Sequence, residues 1–154
     1  MLKGQTNRLL ACMSLAGCLF ALTGIAESAV RKGSYTGRTS ARDPFQFRVD
    51  KRKRVYLVSF RRVHLTCTDG DEFDTGTLTT PRSERFPTTR KGRWGFRARN
   101  DSLGNGHDVA GKVNSPKASG TLRVFARFDE NNQPDPDGGI FCDSGTLTWT
   151  AKRR

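Results

Sequence analysis

Apolar and polar side chains alternate with a period of two along most of this chain, and no window sustains the period of 3.6 that a helix needs. In "FQFRV", Phe45, Phe47 and Val49 share one face of an extended strand, and Gln46 and Arg48 take the other. "RWGFRAR" repeats the pattern, with Trp94, Phe96 and Ala98 inward and Arg93, Arg97 and Arg99 outward. In "ASGTLRVFARF", Leu122, Val124, Ala126 and Phe128 form a stripe opposed by Thr121, Arg123, Phe125 and Arg127. Leu147, Trp149 and Ala151 line one side of the final candidate strand. The longest candidate, "RVYLVSFRRVHLTC", places Tyr56, Val58 and Phe60 in one phase and Val63, Leu65 and Cys67 in the other. An extra residue in a bulge near Arg61-Arg62 would account for that switch.

Turn-forming clusters separate these stretches: Asp50-Lys-Arg-Lys, Asp69-Gly-Asp, Asn100-Asp-Ser-Leu-Gly-Asn-Gly and Asn131-Asn-Gln-Pro-Asp-Pro-Asp-Gly-Gly. Short strands at this spacing predict an all-β fold, either an antiparallel β-sandwich or a small meander β-barrel, in a single domain.

Ahead of the alternating region stands a different kind of sequence. Lys3 and Arg8 precede an apolar run from Leu9 to Ala26, followed by the small residues Ser28 and Ala29. That order is the signature of a secretory signal peptide, which assigns residues 1–29 to a leader and 30–154 to the mature domain. Two alternatives stay open. Leu15-Ala16-Gly17-Cys18 fits a lipobox that would lipidate Cys18, although the apolar run continues past it. An uncleaved leader would instead be a membrane anchor near the lower length limit for a span. A membrane partner is expected only in those two cases; otherwise the protein is expected to be secreted or to reside in the cell envelope.

Loss of the leader removes Lys3, Arg8 and Glu27, so the formal charge of +12 becomes +11 and the mature chain stays strongly basic. It also removes Cys12 and Cys18, leaving Cys67 and Cys142 as a pair in an oxidising compartment. They are expected to form one disulfide, because the clustered partners of a zinc site are missing from the sequence.

Two cysteines and a tryptophan also invite comparison with the immunoglobulin pattern. There the tryptophan lies on a strand soon after the first cysteine, whereas Trp94 follows Cys67 by a long, partly loop-like stretch. "GSYTGRTS", "FQFRV", the mid-chain cysteine, "ASGTLR" and the closing "CDSGTLTWTAKR" together resemble a group of small secreted bacterial all-β proteins of uncharacterised function. The resemblance implies secretion, one β domain and the cysteine pair, and it transfers no catalytic residue.

Catalysis at neutral pH calls for a poised base, and His64 and His107 are the two histidines available. His64 alternates with strand residues and is expected on a sheet surface; His107 follows a glycine-rich turn and is expected in an exposed loop. Neither a Gly-x-Ser-x-Gly elbow nor a His-Glu-x-x-His motif occurs in the sequence. Carboxylates gather at Asp69, Asp71, Glu72 and Asp74, and again at Asp129, Glu130, Asp135 and Asp137. Neither cluster has the apolar setting that raises the pKa of a glycosidase acid. "DENNQPDPDGG" has alternating oxygen donors but lacks the sixth-position glycine and closing glutamate of an EF-hand, so ordinary hairpin loops are expected there rather than calcium. No catalytic residue, cofactor or metal is assigned.

Charge remains as the functional signal. Arg48, Arg93, Arg97, Arg99, Arg123 and Arg127 all lie opposite the core-facing residues of their strands, which makes them candidate anion-binding residues on an arginine-rich sheet face. Such a surface suits an anionic polymer of the cell wall or capsule, or lipid headgroups, through counterion release. A protein partner stays open, and a nucleic acid is not expected as the physiological partner of an exported chain. The expectation is a non-enzymatic binding or structural module. The alternatives are an enzyme or inhibitor whose site the sequence does not reveal, and a basic surface that serves solubility alone.

Overall fold

A computed structural model describes residues 30–154, so the expected leader, 1–29, lies outside the described residues. The chain forms twelve strands: β1 (Gly33–Thr39), β2 (Pro44–Val49), β3 (Arg54–Arg61), β4 (His64–Cys67), β5 (Glu72–Asp74), β6 (Thr77–Thr79), β7 (Phe86–Pro87), β8 (Arg93–Asn100), β9 (Asn105–Asn114), β10 (Lys117–Phe128), β11 (Ile140–Asp143) and β12 (Leu147–Arg153). One 3-10 turn, Asp101–Leu103, links β8 to β9, and no α-helix occurs among the described residues. The all-β reading holds, and every strand pair is antiparallel.

The strands belong to one sheet in the order β5-β4-β11-β10-β12-β1-β2-β3-β6, with β7 on β3 and the hairpin β8–β9 on β10. The twelve-residue β10 organises this branching. Its first half pairs with β12 and its second half with β11, while β9 runs along its other side. The sheet is not closed into a barrel. It curls until β2 and β3 face β8 and β9, which brings the ring of Phe47 to 5.3 Å from Trp94 and that of Phe60 to 5.2 Å from His107.

Aromatic stacking fills the space between. Phe45 lies 4.4 Å from Trp149, Tyr35 4.8 Å from Phe47, and Trp94 5.9 Å from Trp149, all five rings being buried. Each such ring buries far more apolar surface than an aliphatic side chain, so this cluster dominates the hydrophobic term. The Trp149 indole lies flat over Gly111 and Gly120 and donates its N–H to the carbonyl of Thr121 at 3.1 Å. A Cβ on Gly120 would stand 2.5 Å from the indole and 2.0 Å from the carbonyl oxygen of Ala110. Only glycine fits there.

Most inward stripes fall where the alternation places them, including Phe45, Phe47 and Val49 on β2 and Trp149 and Ala151 on β12. The long candidate strand differs in two ways. Its phase does change at Arg61-Arg62, but Arg62 adopts a left-handed φ of 58° and turns a corner, so that β3 and β4 pair with different neighbours. A second irregularity was not foreseen. Leu57 has φ 49°, opposite a register shift between Gln46 and Arg48, and this turns Tyr56 out of the core phase it was assigned to. Val55 is buried in its place, and the half-buried Tyr56 ring carries the guanidinium of Arg85 at 4.4 Å.

Cys67 and Cys142 form the expected disulfide, as direct cross-strand partners on β4 and β11. The ladder between those strands comprises two residue pairs, continued by the Thr68 N–H donating to the Phe141 carbonyl at 3.0 Å, so the covalent bond reinforces a short junction.

Candidate basic face and its neighbours

The six candidate arginines all point outward, but the register distributes them among three settings. Arg97 on β8, Asp108 on β9 and Arg123 on β10 stand side by side in one row. Asp108 accepts a hydrogen bond from Arg99 at 2.7 Å and lies 3.8 Å from Arg97. Arg123 grips Asp143 of β11 through two guanidinium nitrogens, the Nε contacts being 2.9 and 3.1 Å. That hydrogen bonding holds the Asp143 carboxyl below the usual carboxylate range, against an opposing push from burial. Arg99 also lies 4.6 Å above the Phe125 ring, and Arg127 lies 5.2 Å above Phe141. Four of the arginines are thus engaged in a ladder of ion pairs and cation–π contacts that neutralises much of its own charge. Arg48 on β2 and Arg93 at the start of β8 stand away from that ladder, and neither has a carboxylate within 4.0 Å among the described residues.

Cations the sequence reading did not single out lie in the same row as Arg93. Adjacent positions across the sheet are Arg93, Lys112 on β9, Ser119 on β10, Thr150 on β12 and Arg38 on β1. Two residues along, Lys117 of β10 faces Lys152 of β12 directly. Arg38, Lys112, Lys117 and Lys152 surround a depression of about 630 Å3 floored by small residues, among them Gly37, Ala118 and Ala151. No acidic residue lines it, and none of the four cations has an ion-pair partner among the described residues. Like charges held this close without counter-charges repel one another, so an anion placed between them gains their combined field.

The histidines part company. His64 lies on the outer surface of β4 as expected, half exposed, between Asp74 at 3.1 Å and Glu72 at 3.5 Å. His107 is not a loop residue. It belongs to β9 and lies on the core side, with Phe60 at 5.2 Å and Phe96 at 5.6 Å, and its Nε2 is buried without a hydrogen-bond partner among the described residues. Burial, reinforced by the Arg99 charge, lowers its pKa below the ordinary imidazole value, while Asp108 opposes this.

The acidic clusters come together at the opposite end of the sheet, joined by the edge-on contact of Phe73 and Phe128 at 5.2 Å. Three of their carboxylates cap their own turns. Asp129 accepts the backbone N–H groups of Asn131 and Gln133, Asp135 that of Asp137, and Asp69 that of Asp71. Among the described residues no three His, Cys, Asp or Glu side chains converge as a metal site would require.

No protein-family model, no curated protein and no solved structure matches this chain. The geometry of the basic depression is therefore the ground on which a function can be argued.

Proposed function

We propose that the protein is an exported, non-enzymatic binding module that takes up an anionic polymer on the face centred on Arg38, Lys112, Lys117 and Lys152. The observation that supports this reading is the gathering of four cations from four strands around one depression with no carboxylate among them. Binding at such a face draws on release of counterions from the polymer and weakens steeply with salt. Export fits the disulfide, a cross-link at home in an oxidising compartment.

Retention on immobilised heparin as a function of salt tests the proposal. Replacing Lys117 and Lys152 with Gln lowers the slope of log affinity against log salt by roughly one unit per lysine. Replacing Arg97 and Arg123 with Gln removes the same net charge but leaves the slope near that of the parent, because those guanidinium groups are already matched by Asp108 and Asp143. Equal losses from the two pairs would show that bulk charge, not this face, drives retention.

A further inference from the structure

The basic depression does not end at β1. Two further depressions, of about 540 and 470 Å3, continue from it over β2 and β3 and share Thr36 with it. Their lining mixes hydroxyl and amide side chains with Arg48, Arg61 and Arg154. The register shows how the two parts are joined: Asn114, Lys117 and Lys152 on β9, β10 and β12 line up with Thr36 on β1. The same row runs on through Gln46 on β2 and Ser59 on β3 to Thr79 on β6. Seven strands at about 4.8 Å spacing make this row roughly 29 Å long, measured across the sheet. Every residue in it carries a cation, a hydroxyl or an amide. Gln46 and Thr79 are exposed, and the Gln46 side chain forms no hydrogen bond among the described residues; the inner hydroxyl, Ser59, accepts a hydrogen bond from Thr79 at 2.9 Å.

We infer that this row is the path of an acidic polysaccharide lying across the strands, its acid groups on the lysines and its hydroxyls on Thr36, Gln46 and Thr79. The inference rests on the anionic-polymer reading above and deepens it by naming the class of polymer. Three observations favour sugar. A chain rich in both acid groups and hydroxyls matches a row in which two lysines are continued by hydroxyl and amide side chains, with Arg48, Arg61 and Arg154 along its flanks, since each neutral donor or acceptor would otherwise meet only water. The row contains no aromatic side chain on which a nucleic-acid base could stack; the outward-facing Phe125 and Phe141 lie elsewhere, beneath Arg99 and Arg127. A bilayer would call for apolar side chains at the surface, and among the described residues the exposed large apolar side chain is Leu103, on the turn between β8 and β9 rather than in this row.

Oligogalacturonates graded by length, titrated calorimetrically in low salt, test this directly. Affinity is expected to rise with length until the oligomer spans the row. The double variant Gln46→Ala/Thr79→Ala should weaken the long oligomers about tenfold, the equivalent of two net neutral hydrogen bonds. It should leave inorganic polyphosphate and the shortest oligomers bound as before, which also reports that the variant is folded. Unchanged binding of long oligomers by that variant, affinity independent of length, or tighter binding of single-stranded DNA or phosphatidylglycerol vesicles would overturn the inference. In those cases loss of binding in Lys117→Gln/Lys152→Gln leaves the anionic-polymer reading standing. If the wild type binds none of these probes, that reading falls too.

Discussion

His107 shows what one side chain costs the fold and how a measurement can expose it. Its imidazole is held neutral by burial, with the Arg99 charge adding to the effect. The unfolded chain, where the pKa returns to about 6.5, takes up the proton first as pH falls. The contribution of His107 to stability is therefore complete above that value and is lost as pH drops toward the lower folded-state pKa. Urea unfolding of the wild type should show stability declining from about pH 7 to pH 5, and His107→Leu should flatten that limb; a variant with the parental slope would assign the decline to another group. Gly120 makes a steric prediction. Its replacement by Ala forces a methyl group against the Trp149 indole and the Ala110 carbonyl, a clash expected to cost roughly 1–3 kcal/mol in denaturant unfolding. Gly111→Ala meets the same ring and should behave alike. The sequence concealed both features for related reasons. Asn105 and Gly106 precede His107 and read as a turn, whereas they already pair with β8 as the start of β9. The role of Gly120 depends on where Trp149 lies, 29 residues further along, and no local pattern carries that information.

At the scale of strands, period-two alternation made β2, β8, β10 and β12 legible because each has one face on the aromatic core and one in water. It failed at Tyr56, where a left-handed backbone at Leu57 resets the phase without a glycine to announce it. Register was beyond reach. Whether Arg97 faces Asp108, or Lys117 faces Lys152, is fixed by pairings between strands, and the sequence names the residues but not their neighbours. Hence the arginines were visible and the carboxylates that neutralise them were not, while the lysine-lined depression, assembled from four strands, went unseen. The disulfide was legible from cysteine arithmetic alone. Its loop of 75 residues corresponds to about 4 kcal/mol in the chain-entropy model. Cys67→Ser/Cys142→Ser should lower the melting temperature by roughly 10–20 °C. Because only two residue pairs otherwise join β4 to β11, amide exchange in residues 64–74 should accelerate before that of β12 or β1. Uniform acceleration would place the restraint elsewhere.

Across the whole molecule the charges separate. Eight of the fourteen carboxylates in residues 30–154 lie at the β4–β5 end and its facing loop, and none lines the depression among β1, β12, β10 and β9. A polyanion approaching in the field of this molecule is repelled at one end and drawn to the other. Glu72→Gln/Asp74→Asn/Glu130→Gln should strengthen retention on heparin at low salt, and the gain should vanish near 1 M, where the screening length is about 3 Å. A gain that persisted at high salt would mean that these acids act through local structure instead. The position of β12 has a consequence of another kind. Residues 147–153 do not extend the sheet; they fill its middle, between β10 and β1. Until they are in place, β1, more than a hundred residues upstream, has no partner on that side and the aromatic centre lacks Trp149. Closure of the fold thus waits on this one strand, however early its neighbour β1 has been made.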